Sequence, residues 1–188
     1  MNTVAMEQNN WIHPFKFNLW IAIGSMVMMF AGLTSAYIVK RNQAGWQDYQ
    51  LPPEFLYSTA AIIISSLTMV LAKRAFKGRM MARYRKLIFA TLSLGIVFVV
   101  LQVLGFTHLY RMGLTHNSTV SVSFLYVIVG FHALHVAGGI VALLVLALRS
   151  RSKKERNYSS ISVELAGIYW HFVDLLWIYL LVFMFMIR

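Results

Sequence analysis

The sequence contains no cysteine, which removes disulfides, thiolate-bound zinc, iron–sulfur clusters and a thiolate-held copper centre from consideration. Acid is scarce as well: 6 Asp and Glu stand against 17 Lys and Arg. Charged residues make up only 12% of the chain, about half the share usual in a soluble domain. Proline occurs at Pro14, Pro52 and Pro53 alone, so no long apolar run carries a built-in break. Met1 to Asn10 is polar, includes Glu7 and lacks a basic start followed by a short apolar stretch. A cleaved export signal is therefore not expected there.

What fills the chain instead is hydrocarbon. Hydrophobic residues account for 59% of the 188 positions, and the mean hydropathy is +0.66. One water-surrounded core cannot absorb that much apolar surface, so lipid must solvate a large part of it. Five runs are long enough to cross a bilayer as helices, a task that takes about 20 residues. They are Phe17–Val39, Phe55–Ala72, Leu87–Tyr110, Val122–Leu148 and Ser162–Ile187. The fold class expected is all-α, a single transmembrane domain over residues 1–188 built as a bundle of five helices.

Charge placement sets the orientation. The net charge of +11 does not read as nucleic-acid binding, because the cations cluster beside apolar runs. Lys73, Arg74, Lys77, Arg79, Arg83, Arg85 and Lys86 fill the second connection without an acid. Arg149, Arg151, Lys153, Lys154 and Arg156 fill the fourth against Glu155. The first balances Lys40 and Arg41 with Asp48 and Glu54, and the third holds only Arg111 and His116. Basic connections stay cytoplasmic, so the N-terminus is expected inside and the C-terminus outside. Trp46, Tyr49 and Tyr57 suit an aromatic belt at the outer surface.

Polar residues inside the last two runs are the informative ones, since ionisable groups are costly in lipid. Glu164, His171 and Asp174 fall within an arc of about 80° on the fifth helix. His132 and His135 lie three apart on the fourth, expected at overlapping depth in the half of the membrane nearer the basic connections. Three readings fit these five residues: structural pairing of two helices, metal or haem ligation by imidazole, with His108 a further candidate, and a proton path or lipid-headgroup site. Gly130, Ala133, Ala137, Gly138 and Gly139 give the fourth helix a small-residue surface, expected to serve packing within the chain rather than dimerisation. Scattered methionines such as Met26, Met28 and Met29 read as apolar filler, not copper ligands.

Three segments resemble a known family. Tyr169–Trp177 reads YWHFVDLLW, Gly130–Gly139 reads GFHALHVAGG, and Ala90–Gln102 reads ATLSLGIVFVVLQ. They are similar to helices of subunit III of haem–copper terminal oxidases, and the match covers most of residues 85–188. The resemblance implies the short five-helix bacterial form of a seven-helix family, in the bacterial inner membrane. It also implies a chain with no catalytic residues, haem, copper or other metal of its own, haem and copper belonging to partner subunits. Packing on subunit I beside subunit II, bound phospholipid and support of proton uptake follow from it too. The positions carried over are Glu164, Trp170, His171, Asp174, His132 and His135. One departure is Ser25–Met26, where many relatives place a carboxylate after serine. The alternatives from other classes are a haem-binding membrane cytochrome and a small proton-coupled transporter, the latter weakened by the missing repeat and unbroken helices.

Overall fold

A computed structural model describes residues 14–41, 46, 51–114, 119–151 and 160–187. All regular structure among them is helical: α1 Pro14–Arg41, α2 Glu54–Lys77, α3 Met81–Arg111, α4 Val120–Arg151 and α5 Ser160–Met186. Each is long and apolar enough to cross a membrane. The helices overrun the expected spans at most ends, because their basic residues continue the helix instead of forming loops. Lys73, Arg74 and Lys77 sit on the last turns of α2, and Arg83, Arg85 and Lys86 on the first turns of α3. The connection between them is a tight turn at Gly78–Met80. It is closed by bonds from the Gly78 and Met80 amides to the carbonyls of Arg74 and Ala75, both 3.0 Å. Arg79 takes φ +55° there, the left-handed region that usually selects glycine. Lys153, Lys154, Glu155, Arg156, Asp48, Tyr49 and His116 lie outside the described residues.

Packing follows a simple plan. α2 packs on α3, α3 on α4, α4 on α5 and α5 back on α2, which closes a ring of four. α1 leans on α4 and α5 from outside and makes no contact with α2. Inside the ring lie Trp170, Trp177, Phe55, Phe98, Ile62 and Leu125, each under 2% exposed. Side chains such as Met28, Leu67 and Leu134 point outward, at 77%, 60% and 70% exposure. That inversion of a soluble protein is what a lipid solvent permits. One end of the bundle gathers the cations: Lys16 meets α5, Lys73 crosses α5, and Arg151 lies 4.6 Å over the ring of Phe89. At the opposite end Trp46 packs edge-on against Tyr37 at 4.7 Å, while Tyr57 is exposed.

Candidate functional site

Buried hydrogen bonds close the seams that α2 makes with α5 and α3. Lipid offers no water to satisfy a polar group, so each buried donor needs an internal acceptor. Trp177 donates its indole N–H to Thr59 Oγ1 at 2.9 Å, and Trp170 donates to Ser65 Oγ at 3.2 Å. The Ser66 hydroxyl and His171 Nδ1 share a 2.7 Å bond. On the other side of α2, Ser65 donates to the Thr91 carbonyl at 3.2 Å, and Thr68 meets the Thr91 hydroxyl at 2.8 Å. Gln102 donates to Ser58 at 3.0 Å. Five hydroxyls of α2 (Ser58, Thr59, Ser65, Ser66 and Thr68) thus tie it to α3 and α5. Sequence reasoning passed over them, although STAAIIISSLT shows hydroxyls recurring at helical spacing in an otherwise apolar run.

Trp170 is also held by sterics. A Cβ built on Gly95 would come within 2.8 Å of its indole, and one on Gly139 within 2.9 Å. Both glycines exist so that α3 and α4 can approach a buried tryptophan. The expected small-residue surface is corrected by this. Gly139 is the close contact: a Cβ on Gly138 would meet only the Tyr169 hydroxyl, at 3.5 Å, and one on Gly130 would find nothing within 4 Å. Ala133 and Ala137 are exposed, as are Gly130 and Gly138, so the close packing of this surface within the chain falls at Gly139.

The five polar residues of α4 and α5 do not meet as one hydrogen-bonded group. Glu164 pairs with Lys16 of α1 at 2.9 Å. His171 bonds Ser66. Asp174 is 4% exposed, and neither of its oxygens makes a hydrogen bond of good geometry. The Ser66 hydroxyl is near enough to act on it, but its short bond goes to His171. His132 is 1% exposed with both ring nitrogens unpartnered. It stacks on Trp177 at 5.2 Å and lies edge-on to Phe98 and Phe30 at 6.2 and 6.4 Å. His135 turns its Nδ1 to the Phe131 carbonyl at 2.7 Å, and its own carbonyl accepts from Tyr169 at 2.9 Å. The expected depth was too shallow: from Leu148, at ~1.5 Å per residue, His132 lies about 24 Å along α4. That puts it level with Trp177, a turn beyond Asp174. Among the described residues no three His, Asp or Glu side chains gather as metal ligands. His108 pairs with Glu54 at 3.0 Å at the far end. Met26 is buried at 6% exposure, so the methionine fills packed space where the family resemblance suggests a carboxylate.

A cavity of about 310 Å³ opens between α4 and α5 at the basic end. Ala142, Leu146, Leu165 and Tyr169 wall it, with Arg149 and Ser162 at its polar edge.

Comparison with known proteins decides what this bundle is. The family model described as cytochrome c oxidase subunit III matches residues 44–187, which takes in the whole α2–α5 ring. The chain belongs to the cytochrome c oxidase subunit III family. A probable cytochrome c oxidase subunit 3 of Mycobacterium leprae is 33% identical over 100% of this chain and 98% of its own. One from Nocardia farcinica is 32% identical over 90% of this chain and 85% of its own. The cytochrome c oxidase subunit 3 of Synechocystis is 35% identical over 85% and 70%. A subunit III is one part of a respiratory enzyme complex, and this one is a multi-pass membrane protein. The two segments that carry the resemblance most strongly, GFHALHVAGG and YWHFVDLLW, supply Gly139 and Trp170 to the same contact.

Proposed function

We propose that the chain is the non-catalytic subunit III of a proton-pumping haem–copper oxidase that reduces oxygen to water. It packs on subunit I, beside subunit II, in the bacterial inner membrane, with its N-terminus cytoplasmic. The family match over the complete four-helix ring carries this reading. The ring interior supports it, because the buried Trp177 and Phe98 pack directly on His132. Haem and copper are assigned to the partner chains, as the family resemblance implies. The α4–α5 cavity suits an acyl chain, with Arg149 placed at its rim for a headgroup. Glu164 and His171, at the basic end, are the groups nearest the surface from which protons are drawn.

Purification through a C-terminal affinity tag in mild detergent tests the assignment. Oxidase subunits carrying haem absorbance should co-purify, and the separated chain should show no Soret band. A stoichiometric Soret band on the separated chain would make it a cytochrome. For the orientation, a reporter fused after Arg188 should read as exported and one inserted between Lys77 and Arg83 as cytoplasmic. Exported activity from the second-turn insertion would reverse the topology.

A further inference from the structure

His135 stands at the middle of α4, about 22 Å from Val120 and about 24 Å from Arg151 at 1.5 Å per residue. That is the hydrocarbon centre of a core about 30 Å thick, yet the residue is part-exposed at the bundle surface. Its Nδ1 lies 2.7 Å from the Phe131 carbonyl. A carbonyl oxygen only accepts, so Nδ1 carries the proton and Nε2 of the neutral ring is left as an acceptor. Among the described residues no side chain donates to it, and Phe30 of α1 meets the ring only edge-on, at 5.9 Å. Acyl chains carry no donor, so lipid leaves that nitrogen unsatisfied. The surface beside it is bare. Phe131, Leu134 and Val141 are 45%, 70% and 58% exposed, and a Cβ on Gly138 would meet only the Tyr169 hydroxyl. Gly138 thus serves no close contact inside the chain, and it lies one turn from His135 along α4.

We infer that this face of α4 seats a transmembrane helix of another oxidase chain, which donates a hydrogen bond to His135 Nε2 at mid-membrane. The inference rests on the reading of this chain as an oxidase subunit III, and adds which face is covered and what the covering helix must carry. The donor is a side-chain O–H or N–H, as on serine, threonine, tyrosine or tryptophan. Backbone amides of a membrane helix are spent on their own carbonyls and have nothing to give. Polar groups at this depth are what helix pairs in membranes use for adhesion, and Gly138 lets the second backbone come close. A second copy of this chain does not complement the face. Two α4 helices related by a twofold axis would bring acceptor against acceptor, with no donor between them. Lipid does not complement it either, because headgroups stay at the surface, about 15 Å away.

A photoactivatable benzophenone side chain placed at Leu134, in membranes that hold the assembled oxidase, tests the face. Irradiation is expected to join this chain to another oxidase chain, identified by mass spectrometry of the crosslinked peptides. His135→Leu removes the acceptor and should lower that crosslink roughly fivefold, the loss of one interhelical hydrogen bond. His135→Gln offers an amide oxygen in its place and should recover most of the yield, which a merely structural loss would not allow. Gly138→Leu should abolish the crosslink by holding the partner helix off. Equal yields in wild type and His135→Leu would overturn the proposal. So would capture of lipid alone, or of a second copy of this chain. If haem-carrying chains co-purify through the C-terminal tag while Leu134 captures none of them, the α4 face fails and the subunit assignment stands. If no haem-carrying chain co-purifies, the assignment fails and this inference with it.

Discussion

Two attachments to α5 differ sharply in kind. α2 is sewn to it by the bonds of Trp177 to Thr59, Trp170 to Ser65 and His171 to Ser66, with indoles in fully buried positions. α1 is held by a part-exposed ion pair at one end, Lys16 to Glu164, by a Thr34–Tyr179 hydroxyl contact of 3.0 Å further along, and by the rings of Phe30 and Tyr37 set against α4 and α5. Because lipid supplies no hydrophobic drive between helices, close packing and internal hydrogen bonds decide which helices cohere. The ring has both along its length, while α1 relies chiefly on buried side chains such as Phe30 and Tyr37 packed on α4 and α5. The match to the family model begins at residue 44 and so covers the ring, while the relative from Mycobacterium leprae matches α1 as well.

That contrast can be broken most forcefully at the glycines. Gly139→Leu drives carbon into the Trp170 indole and should destabilise the bundle by about 1–3 kcal/mol or more. It should lower the thermal midpoint in detergent and the recovery of this chain with the oxidase. Gly130→Leu, with open space around it, should stay within about 0.5 kcal/mol of wild type in the isolated chain. Equal losses from both would mean that the ring is not where the tight packing lies.

A smaller effect is expected at the seam. Trp170→Phe keeps a ring between Gly95 and Gly139 but leaves the Ser65 hydroxyl without its donor, a loss of about 1–2 kcal/mol in the same melt. Adding Ser65→Ala should then cost less than it does in the wild-type background, and strict additivity in that cycle would deny the bond. Smallest of all should be Lys16→Gln. An ion pair with partners 32% and 41% exposed contributes under about 1 kcal/mol, so the ring should melt unchanged while α1 becomes more accessible to hydrogen exchange.

The sequence made the helices legible because each span is an uninterrupted apolar run with cations at one end. Helix ends were less legible. Lysine and arginine are good helix formers, so basic connections were absorbed into α2, α3 and α4. Within the site, GFHALHVAGG and YWHFVDLLW were visible as segments, and His132 and Asp174 from them are buried in the bundle. Their partners were not legible, because periodicity gives a face and a rough depth but not the neighbour across it. Hydroxyls were missed for a different reason: serine and threonine in a membrane helix can bond back to their own chain, as Ser58 does to Phe55 at 2.8 Å, and so carry no mark of an interhelical role.

Asp174 bears most directly on whether this chain is scaffold or catalyst. It is buried in the ring without a hydrogen bond of good geometry, and a carboxylate in that setting is either structural or part of a proton route. Oxygen consumption by the intact oxidase, followed from the first turnovers through sustained cycling, separates the two in Asp174→Asn and Asp174→Leu. The account predicts initial rates indistinguishable from wild type in both, with any decline appearing only over repeated turnover as subunit III is lost. Immediate and equal collapse of turnover in both variants, with the complex still intact, would contradict it and place the carboxyl group in proton supply.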